Sequence, residues 1–82
     1  IRIENLIVVK EAEQLMHSGS HSMLDFETLT YVPIDRQLIL RDMMTDYEIA
    51  WLNTYHCNVF KKLSQHLTPE ASKWLRTATM AI

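Results

Sequence analysis

The shortage of strands is the feature that most constrains this fold. The first nine residues, IRIENLIVV, have the composition of a β-strand, and both faces of that strand are mostly aliphatic. A strand of this kind is usually covered on both sides. Only one other strand-like segment follows in the 82 residues, and two strands alone are marginal in water. We therefore expect further strands, from a missing part of the polypeptide or from another copy, to complete the sheet.

Two charged residues lie on one face of this first strand. Arg2 and Glu4 are two positions apart, so they share a face and are expected to point into an interior rather than into water. A buried carboxylate is costly unless a charge, hydrogen-bond donors or a metal compensates it. The spacing leaves two alternatives open. One is an Arg2–Glu4 ion pair, and the other is metal coordination by Glu4 with Arg2 orienting the carboxylate.

The chain starts with Ile rather than Met, already within the body of a strand, and is expected to continue a longer polypeptide. Residues 10–23 hold the only glycine and most of the serines, which indicates a surface connection. A second strand is predicted over about residues 24–34, ending near Pro33 because proline cannot donate to the ladder. Within residues 36–44, the three residues from Leu38 to Leu40 form an apolar patch that is expected to pack under the next helix.

Two helices are predicted after the strands. The segment from Thr45 to Glu48 has the form of a capping box, and the helix that follows would run roughly 30 Å. Its apolar stripe repeats at i+3 and i+4 spacing through Leu52, Tyr55, Val59, Leu63 and Leu67. A shorter helix opens at Thr68 and Pro69. Its apolar face consists of Ala71, Trp74, Leu75 and Ala78. The predicted fold class is α+β, with two antiparallel-sheet strands followed by two C-terminal helices.

Histidine and cysteine positions do not form a second site. His17 and His21 are four residues apart, but Ser18, Gly19 and Ser20 between them favour a solvated loop over a helical metal site. No zinc-site spacing, phosphate loop or Ser-His-Asp arrangement is present.

The predicted long helix carries the remaining candidates. Cys57 follows His56, and adjacent helical positions point about 100° apart, so they are not a nucleophile and base. We expect Cys57 to be a half-buried thiol, and His56 and His66 to be surface or packing residues. The helical spacing of the large aromatic residues favours an interhelical core over a ligand-binding box. These residues are Trp51, Tyr55, Phe60 and Trp74.

Charge and hydropathy exclude several classes of partner. The formal net charge is −2 and the only adjacent basic pair is Lys61-Lys62, which disfavours nucleic-acid binding. No apolar run approaches the roughly 18 residues of a membrane span. A single cysteine cannot form an internal disulfide and favours a reducing, cytoplasmic setting.

Three segments together carry a resemblance to a known family. They are IRIENL at the start, FETLTYVPID at residues 26–35 and WLNTYH at residues 51–56. In this order and spacing they are similar to the end of Xaa-Pro aminopeptidases, which are metallopeptidases of the pita-bread fold. ASKWL at residues 71–75 resembles the terminal helix of that family. The resemblance extends over nearly the whole chain apart from about residues 11–23.

This resemblance implies a fragment of a pita-bread enzyme. Residues 1–35 would be the last strands of the catalytic domain, and residues 36–82 a C-terminal helical region that packs on that domain and contributes to a homodimer. The parent would hydrolyse the N-terminal residue from peptides with proline second, by two-metal hydrolysis. The resemblance maps a ligand that bridges two divalent ions, usually manganese, onto Glu4, with Arg2 orienting the site. The other ligands lie upstream in that family, so the fragment alone is expected to be inactive and to bind no metal.

Two other interpretations remain at this stage. The chain could be a non-catalytic helical module for dimerisation or interaction with a partner. It could also be an unrelated domain of two strands and two helices with an Arg2–Glu4 ion pair, which would bind no metal at any protein length.

Overall fold

The computed structural model of the chain describes residues 2–12 and 23–82. The chain divides into two compact units, Ile1–Thr30 and Tyr31–Ile82. The first unit holds the two strands, and the second holds all the described helices. His17 and His21, together with most of the predicted loop, lie outside the described residues. No helix within the described ranges is long and apolar enough to cross a membrane.

The first unit is an antiparallel hairpin of β1 (Ile7–Glu11) and β2 (Leu24–Thr28). Ile7 lies opposite Thr28 and Glu11 opposite Leu24. The pairing continues one step further, because the Leu29 N–H donates to the Leu6 carbonyl at 2.8 Å. Two antiparallel strands were predicted, and this is confirmed.

Both strands are shorter than predicted. The first was expected over residues 1–9 and the second over residues 24–34, whereas the ladder joins residues 7–11 to residues 24–28. Within the described residues the ladder gives residues 2–5 no partner. Arg2 and Glu4 therefore precede β1 instead of lying within it.

The sheet exposes apolar side chains on both faces. Neighbouring positions alternate between faces, and large apolar residues are exposed on both faces of β1 and on one face of β2. These are Ile7, Val8 and Val9 in β1, and Leu24 and Phe26 in β2. Two strands have no second layer to bury these faces, which agrees with the sequence pattern of a strand meant to be covered on both sides.

The second unit contains α1 (Asp46–Leu63) and α2 (Pro69–Ala78), with short 3-10 turns at Arg36–Leu38, Arg41–Met43 and Ser64–His66. Both predicted helices and both predicted starts are confirmed.

Each helix start is closed by a threonine hydroxyl. The Thr45 hydroxyl accepts from the Glu48 N–H at 3.2 Å, and the Glu48 carboxylate accepts from the Thr45 N–H at 2.9 Å. The Thr68 hydroxyl accepts from the Ala71 N–H at 3.2 Å, with Pro69 as the first helical residue. Helix α1 ends at Leu63 rather than continuing to Leu67, because the tighter Ser64–His66 turn follows it.

A small core lies between these elements. Its buried residues are Leu52, Tyr55 and Val59 of α1 and Leu75 of α2. Partly buried apolar residues pack around them: Tyr31, Ile34, Ile39, Met44, Phe60, Leu63 and Ile82. Of the predicted patch, Ile39 packs on the core, whereas Leu38 and Leu40 are exposed, so the prediction holds for one of its three residues.

The prediction that both tryptophans belong to an interhelical core is wrong. Trp51 is 50% exposed and Trp74 is 66% exposed. Each tryptophan precedes a buried leucine by one position, Leu52 or Leu75, and one position on a helix turns a side chain by about 100° away from the stripe. Cys57 is likewise exposed rather than half-buried, because it lies two positions before the buried Val59, about 200° around the helix.

The capping box makes a testable contribution to stability. Replacing Thr45 with Ala leaves the Glu48 N–H without its acceptor, and we expect the free energy of unfolding to fall by about 1 kcal/mol. Urea denaturation followed by circular dichroism measures this change. Thr54 is an exposed residue in the middle of α1. Thr54→Ala is the matched control and should leave stability unchanged or raise it by a few tenths of a kcal/mol, because alanine has the higher helix propensity.

Candidate functional site

Glu4 and Arg2 form the ion pair that their spacing allows. Arg2 Nη1 lies 3.4 Å from Glu4 Oε1, and the two side chains are 83% and 63% exposed. An exposed pair of this kind contributes little to stability. The prediction that both side chains point into an interior is therefore wrong for this chain, since a two-stranded sheet supplies no layer to cover them.

The backbone after Glu4 is held more firmly than its side chain. The Thr30 hydroxyl accepts from the Leu6 N–H at 3.0 Å and donates to Asn5 Oδ1 at 2.8 Å. The Leu29 N–H donates to the Leu6 carbonyl at 2.8 Å. The two residues that follow Glu4 are thus fixed to the end of the second strand.

Glu4 fits a divalent cation as one ligand among several. Carboxylate oxygens suit hard cations such as manganese. Only Oε1 engages Arg2, so in the part of the chain that the structure describes Oε2 carries no hydrogen bond. Within those same residues no group of three or more His, Cys, Asp or Glu side chains could hold a metal ion. Among the described residues, Glu4 is therefore not part of a complete set of metal ligands.

In the second unit, helix α1 holds an extended backbone segment through two adjacent side chains. The Tyr55 hydroxyl accepts from the Val32 N–H at 3.0 Å and donates to the Val32 carbonyl at 2.8 Å. His56 Nε2 accepts from the Ile34 N–H at 3.0 Å. Pro33 between them has no N–H to satisfy. Every backbone donor from Val32 to Ile34 is therefore accounted for by α1.

The same helix also fixes the last residue of the chain. Asn53 Oδ1 accepts from the Ile82 N–H at 2.9 Å. Outside α1, the guanidinium of Arg36 donates to the carbonyl of Met80. The polar positions of WLNTYH thus bind backbone groups of the unit itself. Their arrangement is that of a structural support rather than a reaction centre.

His56 is the functional position that sequence reasoning underestimated. It was expected to be a surface or packing residue, but it is fully buried, at 0% exposure, and its Nε2 has a specific partner. Its spacing could have revealed this, because His56 lies four residues after Leu52 and three before Val59, within the buried stripe.

The ring of His56 is neutral and carries an unpaired donor. A Nε2 that accepts a hydrogen bond leaves the proton of the neutral ring on Nδ1. Among the described residues, Nδ1 is buried with no hydrogen-bond partner. Burial, and to a lesser degree the positive charge of Arg36, lower the pKa of His56 below its ordinary value of 6.5. Protonation of Nε2 would turn the acceptor of the Ile34 N–H into a donor, so this hydrogen bond would be lost.

An aromatic stack orients the Tyr55 hydroxyl. Trp51 and Tyr55 are parallel within 1° with ring centroids 5.5 Å apart, and Tyr55 and Tyr31 lie 6.3 Å apart at 11°. Lys62 Nζ lies 4.7 Å from the centre of the Tyr31 ring. Stacked rings and a cation over a ring face are both stabilising arrangements. The half-exposed Trp51 therefore supports Tyr55 from outside the core.

Comparison with known proteins identifies the family. A family profile for the C-terminal region of peptidase M24 matches residues 22–82. The chain belongs to this family. Probable Xaa-Pro aminopeptidase P of Tuber melanosporum (strain Mel28) is 42% identical over 84 aligned positions, covering 100% of this chain and 14% of the relative. Aminopeptidase P1 of Arabidopsis thaliana is 39% identical over 79 positions, covering 96% of this chain and 12% of the relative.

The fold also matches a solved structure of the family. The crystal structure of X-prolyl aminopeptidase from Caenorhabditis elegans, a cytosolic enzyme with a di-nuclear active site, superimposes with a TM-score of 0.85 at 36% identity. The match covers 100% of this chain and 14% of that one. The fold class predicted from the sequence, part of a pita-bread fold, is therefore confirmed, as is the similarity to Xaa-Pro aminopeptidases. The chain spans only about an eighth of the length of the curated relatives it matches.

The Tyr55 hydroxyl can be tested by removing a single atom. Tyr55→Phe keeps the stacked ring but leaves the N–H and carbonyl of Val32 without their partner, so we expect a loss of about 1–3 kcal/mol in the free energy of unfolding. Thermal or urea denaturation measures it. Tyr47→Phe removes a hydroxyl from an exposed tyrosine of the same helix and should change stability by less than about 0.5 kcal/mol. Equal effects of the two substitutions would contradict the role assigned to Tyr55.

The buried neutral His56 predicts loss of stability in mild acid. Its folded-state pKa is lowered, so below pH 6.5 the unfolded state binds more protons than the folded state. The free energy of unfolding should therefore fall as the pH drops from about 6.5 towards the lowered value, by at most about 1.4 kcal/mol per pH unit from this group. Denaturation curves at about pH 7.5 and about pH 5.5 measure the change.

Two variants separate this effect from the titration of other groups. His56→Gln should be less stable at neutral pH but should lose less stability between the two pH values. His66→Gln, at an exposed position, should keep the pH dependence of the unchanged chain. A His56→Gln variant with the full pH dependence would rule out His56 as its source.

Proposed function

We propose that this chain is the C-terminal part of a dinuclear, metal-dependent Xaa-Pro aminopeptidase. The observation that carries the proposal is the match of the entire chain to X-prolyl aminopeptidase of Caenorhabditis elegans, with a TM-score of 0.85. The parent protein would hydrolyse the N-terminal residue from peptides whose second residue is proline. Because the chain spans 14% of that enzyme, the activity belongs to the parent, and the chain alone would be inactive.

Glu4 is the residue of this chain that we assign to the metal site. Its carboxylate would be one ligand of a pair of divalent ions, manganese in our proposal, with the remaining ligands on the upstream part of the catalytic domain. A pair of divalent ions supplies the activated water and the stabilisation of negative charge that peptide hydrolysis requires. Arg2, 3.4 Å from Glu4, would orient the carboxylate by donating to one of its oxygens.

The remaining residues would serve assembly. In this proposal residues 1–35 complete the catalytic domain, and residues 36–82 form a helical region that packs on it and contributes to a homodimer. The exposed apolar faces of β1 and β2 support a further layer and further strands from the parent. A cytoplasmic setting is supported by the described cytosolic relative and by the single cysteine.

Substitution of Glu4 in the full-length protein tests the proposal. Glu4→Gln keeps the size of the side chain but removes its charge. We expect manganese-dependent cleavage of an Xaa-Pro peptide to fall at least about 100-fold, since an ion that loses a ligand stabilises the transition state less well. Glu11→Gln, at an exposed position of β1, is the matched control and should retain activity.

Two results would count against the proposal. Full activity in the Glu4→Gln variant would remove Glu4 from the metal site. A full-length protein with no peptidase activity at any manganese concentration would favour the alternative role of a non-catalytic helical interaction module.

A further inference from the structure

The Thr30 hydroxyl, two residues beyond the end of β2, contacts two residues that precede β1. It accepts a hydrogen bond from the Leu6 N–H and donates one to Asn5 Oδ1, at 3.0 and 2.8 Å. A hydroxyl has one proton to donate, so its donor capacity is fully used here. Thr30 and Asn5 are both half-buried, which makes the bond between their side chains less accessible to competing water than the exposed Arg2–Glu4 pair. The bond from the Leu6 N–H is exposed.

These contacts come where the backbone ladder stops. The described ladder ends at Ile7 and Thr28, with one further backbone bond from Leu29 to Leu6. Residues 2–5 lie outside β1. The backbone bonds between the two strands stop at Leu6, and the bond from Thr30 adds one more contact, at Asn5. Asn5 directly follows Glu4.

The position of Glu4 needs such a restraint. Metal–ligand distances vary by only about 0.2 Å in a functional site, and misplacing a catalytic group by about 1 Å can cost about 100-fold in rate. The contact between Arg2 and Glu4 is 3.4 Å long and exposed, so it restrains the carboxylate weakly. The bond with the Leu6 N–H acts on the backbone instead, and the bond with Asn5 Oδ1 holds the Asn5 side chain. Neither bond requires the carboxylate to be paired.

We propose that Thr30 is a positioning residue that holds the Leu6 backbone and the Asn5 side chain so that the Glu4 carboxylate reaches the divalent cations. This inference rests on the proposed metal-binding role of Glu4. Thr30 touches neither the substrate nor the metal in this proposal and acts only through the chain at Glu4.

The test uses the full-length protein with the metal removed and then restored. Thr30→Val keeps the β-branched shape but loses the hydroxyl, whereas Thr30→Ser keeps the hydroxyl. Thr28→Val makes the same chemical change two positions earlier, in β2, where the Thr28 side chain has no hydrogen bond to any of the described residues. Isothermal titration with Mn²⁺ measures the Kd of each variant, at a temperature well below the lowest melting temperature of the set.

We expect Thr30→Val to weaken Mn²⁺ binding about 10-fold, within the range typical of residues that orient a metal ligand. Thr30→Ser should bind within about twofold of the unchanged protein, and Thr28→Val should bind as the unchanged protein does. Excess Mn²⁺ should restore kcat in Thr30→Val, because the ligand is still present, but not in Glu4→Gln. If Thr30→Val does not fold, Thr30→Ala replaces it in the comparison with Thr30→Ser.

The outcomes separate this inference from the proposed function. If Glu4→Gln loses Mn²⁺ binding while Thr30→Val binds like Thr28→Val, the positioning role is wrong and the metal role of Glu4 stands. If Glu4→Gln binds Mn²⁺ normally, the proposed function fails at Glu4 and the role of Thr30 fails with it. Equal weakening in Thr30→Val and Thr28→Val would also overturn the inference, since it would show a general effect on the hairpin.

Discussion

The hold of helix α1 on the segment Val32–Ile34 is the interaction on which the second unit depends. An extended segment outside a sheet has backbone donors and acceptors that must find partners if they are removed from water. Tyr55 satisfies both groups of Val32, His56 satisfies the N–H of Ile34, and Pro33 brings no donor. The segment can therefore lie against the helix without strand neighbours, and it brings Tyr31 and Ile34 against the core.

This interaction also explains why two sequence segments occur together. VPI and NTYH are separated by about twenty residues, yet the second supplies the side chains that bind the backbone of the first. Asn53, from the same turn of α1, binds the N–H of Ile82. The polar residues of α1 thus act on the backbone of their own unit, and a chemical site need not be invoked to account for them. The cost is a buried Nδ1 on His56 that lacks a partner among the described residues.

The features that were predictable from the sequence are those decided by neighbouring residues. Both helix starts follow from local capping chemistry at Thr45 and Thr68, and the alternating pattern predicted the hairpin. The role of His56 depends on a backbone donor twenty-two residues away, which no local pattern encodes. The exposure of Trp51 and Trp74 was missed because an apolar residue at helical spacing can lie at the edge of a stripe as well as at its centre.

Glu4 was mispredicted for a different physical reason. The apolar pattern around it describes an environment that this chain does not itself provide, since a two-stranded sheet has no layer to exclude water from either face. What the chain does provide is backbone position, through Thr30, Asn5 and Leu6. A ligand built in this way has its place set by one part of a protein and its charge compensated by another. If Glu4 is a metal ligand, the cost of burying it is met only when the cations are bound, so metal binding and the packing of this hairpin against the rest of the protein would be thermodynamically linked.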